Sequence, residues 1–240
     1  MDTFYLSENI YICDDKMYKD DKIISYKDWH KHLLEIGWQK LPVQWIKQLN
    51  RLSLEKSKNS RFGVIDCGTD GDCFFHCIAF ALNSVQRYTI DPIVYNRTDI
   101  KKLLADSIDR DIYRNIISIY KILKDSDDLD EAWDPYTITI EGFKDLIVNT
   151  RDVFWGDHIL IQLVMKLLHI NIIILNNNQY TKSYNVYNTM VDYDSQKNTI
   201  ILLYDNKIHF RLIGYFWDNL MISLFDHRHL PDEIKKLINV

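Results

Sequence analysis

At 240 residues and 28.7 kDa, with 47% hydrophobic and 26% charged residues, the chain has the make-up of a globular protein holding one domain, or one domain with an extension. A net charge of −5, a pI near 5.9 and the lack of a Lys/Arg cluster speak against a nucleic-acid binder and suit a basic partner. Four cysteines, three of them lying from Cys67 to Cys77, make neither a disulfide framework nor paired Cys-x-x-Cys zinc units, which points to a reducing compartment, the cytoplasm.

The first residues, Met1-Asp2-Thr3-Phe4-Tyr5, lack the basic start and apolar core of a secretory leader. The longest apolar region, 159–175, is interrupted by Gln162, Lys166, His169 and Asn171, so no membrane span is expected. Residues 1–26 alternate apolar and polar around Tyr11-Ile12-Cys13 and Ile23-Ile24, which allows one or two short strands or an irregular arm. Ser25 or Asp28 can then cap a helix whose apolar face takes Trp29, Leu33, Leu34 and Ile36. A second helix follows Pro42 through Trp45, Ile46 and Leu49 to Leu54. Residues 1–58 read as a mostly helical N-terminal extension and 59–240 as the main domain.

The stretch 68–82 changes character abruptly. Gly68-Thr69-Asp70-Gly71-Asp72 is turn chemistry, after which Phe74, Cys77, Ile78, Ala81 and Leu82 recur at helical spacing. Cys73 falls in the first turn of that buried helix. There the backbone N–H groups and the positive end of the macrodipole favour a thiolate, and glycine permits close approach of a substrate carbonyl. Against this, a cysteine among apolar residues is most often a small buried hydrophobe.

Residues 83–98 read as a loop, and Asp99 as the start of one helix reaching about Lys124, with Ile100, Leu103, Leu104, Ile108, Ile112, Ile116, Ile117 and Tyr120 on one face. The acidic run 125–131 is a solvated turn, and a further amphipathic segment ends near Asn149. Asp157 can cap a helix that carries Ile159, Leu160, Leu163, Val164, Leu167 and Leu168 inward and leads into a buried strand at 172–175. A turn at 176–178 and short strands at 183–187 and 199–204 follow. Asp205-Asn206 signals a tight hairpin, and the returning strand, 208–215, puts Ile208, Phe210 and Leu212 on one face and His209, Arg211 and Ile213 on the other. The last helix is expected over 231–238.

The run Asp70-Gly71-Asp72-Cys73-Phe74-Phe75, with the small Cys77 two positions further on, resembles the nucleophile motif of the ovarian tumour (OTU) family of cysteine proteases. Phe154-Trp155-Gly156-Asp157 and the strand after its helix resemble that family's Trp-Gly helix. His209, followed by an aromatic residue and an apolar strand, resembles its histidine. The three stand in the family's order and span about Phe62 to Tyr215. The resemblance implies an α/β (α+β) papain-like fold, a small central β-sheet flanked by helices, and no metal or other cofactor.

It also implies a Cys73 nucleophile, a His209 base, an Asp70 that shapes the loop, and oxyanion donors around Gly71 and Asp72. His76, three residues beyond Cys73, is a rival base, but it sits at a variable position of the motif. Trp155, Glu131 and Asp134 are candidate substrate contacts, the two acids because the ubiquitin tail is rich in arginine. The implied activity is hydrolysis of isopeptide bonds at the C-terminus of ubiquitin, polyubiquitin or a ubiquitin-like modifier. A ubiquitin-binding module that has lost catalysis and a general cysteine protease or acyl transferase are the alternatives.

One departure stands out. Where many family members carry Asp or Asn two residues after the histidine, this chain has Arg211, and a guanidinium there disfavours an imidazolium. The expected remedy is an Asp or Asn from outside 205–213 within about 2.6–3.2 Å of His209, with the segment around Asp66 as the donor. The composition, rich in Asn, Ile, Lys, Asp and Tyr and poor in Ala and Gly, matches an AT-rich genome such as those of large DNA viruses and intracellular bacteria.

Overall fold

The computed structural model describes residues 4–5, 9–14, 16–24, 31–53, 61–68, 71–86, 93–127, 133–149, 157–187, 189, 191–206, 208–217 and 220–240. It is an α/β structure of two compact units. One joins Met1–Cys67 to Asn171–Val240, and the other is Gly68–Ile170.

The first unit contains both sheets. Its N-terminal sheet is an antiparallel meander of β1 (Phe4–Tyr5), β2 (Ile10–Cys13), β3 (Lys16–Lys19) and β4 (Lys22–Ile23). Lys19 pairs with Lys22 across Asp20 and Asp21, whose φ values of 47° and 62° are those of a two-residue primed hairpin turn. Where one or two strands or an irregular arm were expected, the sequence builds four. Of the helix expected from Ser25, residues 25–30 lie outside the described residues, and Leu33–Ile36 form a 3-10 turn. Gly37 closes that turn in the left-handed region, and Leu34, assigned inward, is 76% exposed.

The main sheet has the strand order β5-β6-β10-β9-β7-β8, from β5 (Gln39–Lys40), β6 (Phe62–Ile65), β7 (Ile170–Asn177), β8 (Val186–Tyr187), β9 (Asn198–Asp205) and β10 (His209–Trp217). β11 (Leu220–Ile222) adds to β10 and β12 (Leu224–Phe225) to β9. The apolar runs of β7 and β9 are buried on successive residues, as strands covered on both faces require. β7 extends two residues beyond the expected strand, through Asn176 and Asn177. Asn178 bridges to Ser183 beyond it.

Two helices cover this sheet's core, α1 (Val43–Leu52) and the C-terminal α7 (Asp232–Leu237). Trp45, Leu49 and Ile234 pack with Phe62, Val64, Ile173, Leu175, Ile201, Leu203, Ile213 and Phe225. Each such side chain contributes about 1.5–3 kcal/mol through burial. Polar ties fix the helices as well, since the Trp45 indole N–H donates to the Asn176 carbonyl (3.1 Å) and Lys236 Nζ to the Leu52 carbonyl (2.8 Å).

The second unit is helical: α2 (Cys73–Gln86), α3 (Arg97–Ser107), α4 (Arg110–Asp125), α5 (Ile140–Asn149) and α6 (His158–Leu167), with α3 packed on α2, α5 and α6. α2 is apolar nearly all round, so it is buried nearly all round. Among the described residues no helix is long and apolar enough to cross a membrane. Asp157 caps α6 as expected, accepting from the N–H groups of Ile159 (3.0 Å) and Leu160 (2.8 Å).

The single helix expected from Asp99 to Lys124 is instead two. Asn96 starts the first one earlier, in a reciprocal capping box with Asp99. Ile108 then turns to extended backbone, and the Asp109 carboxylate accepts from the N–H groups of Asp111 and Ile112 at 2.9 and 2.8 Å, restarting the helix. Unbroken apolar periodicity hid a capping residue in its middle. Asp109→Ala should lower the unfolding free energy by about 1 kcal/mol, read from urea denaturation. An unchanged midpoint would show that packing alone holds the break.

Candidate active site

Cys73, the candidate nucleophile, lies in the second unit. Gly71 has φ +83°, a left-handed conformation that side chains with a Cβ adopt at a cost, and it turns the chain into Asp72. The Asp72 carbonyl accepts from the His76 N–H at 3.0 Å, which makes Asp72 the residue that opens α2 and puts Cys73 in its first turn. Cys73 is 2% exposed, and Phe74 and Phe75 beside it are more deeply buried. The Asp72 side chain, also buried, reaches a neighbouring helix. Its Oδ1 lies 2.8 Å from Lys101 Nζ and its Oδ2 3.2 Å from Arg97 Nη1, both on α3.

His76 is packed under the same loop. A Cβ added at Gly68 would stand 2.7 Å from its Cδ2, so the imidazole is wedged against backbone.

His209, the candidate base, lies in the first unit. Antiparallel pairing of β10 with β6 aligns Leu212 with Ile65, so the residue after β6, Asp66, is carried towards the start of β10. Asp66 Oδ2 stands 3.2 Å from His209 Nε2. Nε2 is buried and makes no hydrogen bond by angle, so the contact is one of charge and distance. A carboxylate at Nε2 favours the tautomer with its proton there, leaving Nδ1 with the lone pair that a general base needs. A carboxylate from outside 205–213, that of Asp66, thus stands 3.2 Å from the ring, without the hydrogen bond that was expected of it.

Arg211 does not face the histidine unpaired. Asp205 takes its guanidinium through Nε (2.5 Å) and Nη2, while Asn177 Nδ2 donates to the other carboxylate oxygen and Gln39 Oε1 lies 3.4 Å from Nη1. Asp205 is occupied by the arginine rather than by the imidazole. The charge expected to oppose an imidazolium is balanced within its own strand pair.

Among the other expected site residues, Asp70, Glu131 and Trp155 lie outside the described residues. Asp134 holds its own turn, accepting from the Tyr136 N–H at 3.1 Å and pairing with Lys124 at 3.3 Å; these keep its carboxyl below the usual range. Sequence reasoning missed Lys101 and Arg97. The available signal was Lys101 at helical spacing with Leu104 and Ala105 on an apolar face, since a lysine there requires a buried partner.

Among solved structures, the chain is similar to an ovarian tumour (OTU) domain determined in complex with ubiquitin, at 17% identity over 73% of this chain and 80% of that one, with a TM-score of 0.45. It is also similar to an OTU deubiquitinase from Wolbachia pipientis wMel, at 14% identity over 74% and 97% of the two chains, with a TM-score of 0.40. No family model matches the chain, and no curated protein does.

Forcing a Cβ into the left-handed turn at residue 71 costs about 1–2 kcal/mol. Gly71→Ala should therefore lower stability by that amount and slow alkylation of Cys73 by iodoacetamide, followed by peptide mass spectrometry. Unchanged alkylation in a destabilised protein would mean that this turn does not govern the thiol.

Proposed function

We propose that the protein is a cysteine-dependent hydrolase of the OTU type that cleaves isopeptide bonds at the C-terminus of ubiquitin or a ubiquitin-like modifier. The observation that carries this reading is the Cys73 thiol at the first turn of a buried helix, entered through left-handed Gly71 in a run that resembles the family's nucleophile motif. The approach of Asp66 to the His209 ring supports it as well.

In the proposed mechanism His209 Nδ1 takes the Cys73 proton and the thiolate adds to the isopeptide carbonyl carbon. Backbone N–H groups around Gly71, Asp72 and Cys73 hold the oxyanion. His209 returns the proton to the departing lysine amine, leaving a thioester. A water molecule that gives its proton to His209 then attacks the thioester, releasing the carboxylate and the thiol. Asp66 keeps the imidazole in the reactive tautomer and offsets its charge when protonated. Asp70 shapes the loop, and Trp155, Glu131 and Asp134 are the proposed substrate contacts.

Arg211 was the residue that favoured a module able to bind but not to cleave. Its pairing with Asp205 removes that reason.

Ubiquitin carrying a C-terminal electrophile should form a covalent adduct at Cys73. Binding without capture would replace the hydrolase by a binding module, and neither binding nor capture would remove ubiquitin from the reading. Cys73→Ala and His209→Ala should each lower kcat by about a thousandfold or more in a folded protein. Asp66→Asn should lower kcat by about a hundredfold with little change in KM, because only the basicity and tautomer of His209 are affected. Equal loss in KM and kcat for Asp66→Asn would assign Asp66 to binding instead.

A further inference from the structure

Lys101 is on the buried side of α3. It shares that side with Ile100, Leu104 and Ala105 and is 3% exposed. An ammonium taken out of water is costly unless it is paired. Its partner is Asp72, also 3% exposed, and the Nζ lies 5.5 Å from the centroid of the Phe75 ring. Arg97, in the first turn of the same helix, approaches the second oxygen of that carboxylate. Two cations converge on one acid, and the next residue in the chain is Cys73.

An aspartate that opens a helix ordinarily turns its carboxylate onto that helix's own N–H groups. Asp109 and Asp157 do so in this same unit. Asp72 directs both carboxylate oxygens to cations of α3. A buried ion pair is a poor way to gain stability, because apolar residues of the same volume serve as well or better. What the pair provides is direction, since it ties the residue before Cys73 to a packed neighbouring helix at a fixed distance.

We propose that Lys101, assisted by Arg97, is a positioning residue for the nucleophile. Through Asp72 it holds the first turn of α2 so that the Cys73 sulfur and the adjacent N–H groups keep one attitude towards an incoming carbonyl. The inference rests on reading Cys73 as the nucleophile.

The test uses the full chain, with Lys101→Met, Asp72→Asn and the double variant, each read at a temperature where circular dichroism shows it folded. The double variant leaves neither buried charge without its partner, so it decides the matter if a single variant fails to fold. Iodoacetamide alkylation of Cys73 should slow by about tenfold or more in the double variant, and it should be no slower there than in the slower single. With a ubiquitin-derived substrate kcat should fall by the same factor while KM stays within about twofold. Tyr120→Phe, which removes a hydrogen bond to Asp157 in the same unit, should lower the melting temperature and leave Cys73 alkylation within about twofold.

A folded double variant whose Cys73 reacts at the wild-type rate overturns the proposal. So does an equal slowing in Tyr120→Phe, which would trace the effect to a change shared by the whole unit rather than to the Lys101–Asp72 pair. If the wild type fails to cleave the ubiquitin substrate, the substrate reading fails, and the alkylation rates still decide the role of Lys101.

Discussion

The first unit depends on β10 being hydrogen-bonded on both edges. It runs antiparallel to β6 from Leu212↔Ile65 to Tyr215↔Phe62 and to β9 from His209↔Asp205 to Ile213↔Ile201. Phe210, Leu212 and Ile213 are buried, so a slip of one residue would turn core side chains outwards and break two ladders at once. The position of His209 is fixed by this register rather than by the hairpin alone. The same register brings Asp66 to its ring from the far end of β6.

The second unit solves a different problem. Its helices bury aromatic and aliphatic side chains, and the few polar groups among them are satisfied locally. The Tyr120 hydroxyl donates to Asp157, whose other oxygen caps α6, and burial together with that carboxylate pushes the phenol well above its ordinary pKa. Tyr120 also meets Trp133 edge-on, with ring centroids 4.9 Å apart. One aspartate thus starts a helix and anchors the neighbouring helix to it. Asp72 works in the same dual manner, with its carbonyl in α2 and its carboxylate on α3.

The parts of this architecture set by local chemistry were legible in the sequence. Turn residues followed by apolar periodicity placed the start of α2 at Cys73, Asp157 announced its own cap, and Asp205-Asn206 between apolar runs marked the β9–β10 hairpin, where Asn206 takes φ +51°. The failures share one cause, that a local pattern does not record a competing local partner. Periodicity from Ile100 to Tyr120 continued through Asp109, whose side chain ends one helix and begins another. Asp20-Asp21 lacks the glycine by which primed turns are usually recognised, so the N-terminal hairpins were not visible. Of the candidate site, a carboxylate near His209 could be reasoned to because a neutral imidazole needs an acceptor, whereas Lys101 required knowing which helix lies against α2.

The pairing of Arg211 with Asp205 carries a consequence for the histidine. Asp205 stands directly across the sheet from His209, and Arg211 lies two residues beyond it on the same strand. Drift at position 205 to a neutral residue would leave a guanidinium without its counter-charge beside the imidazole, and drift at 211 would leave a carboxylate in competition with Asp66 for the histidine. A change at either position therefore shifts the charge that the histidine meets, so the two residues act as one electrostatic unit.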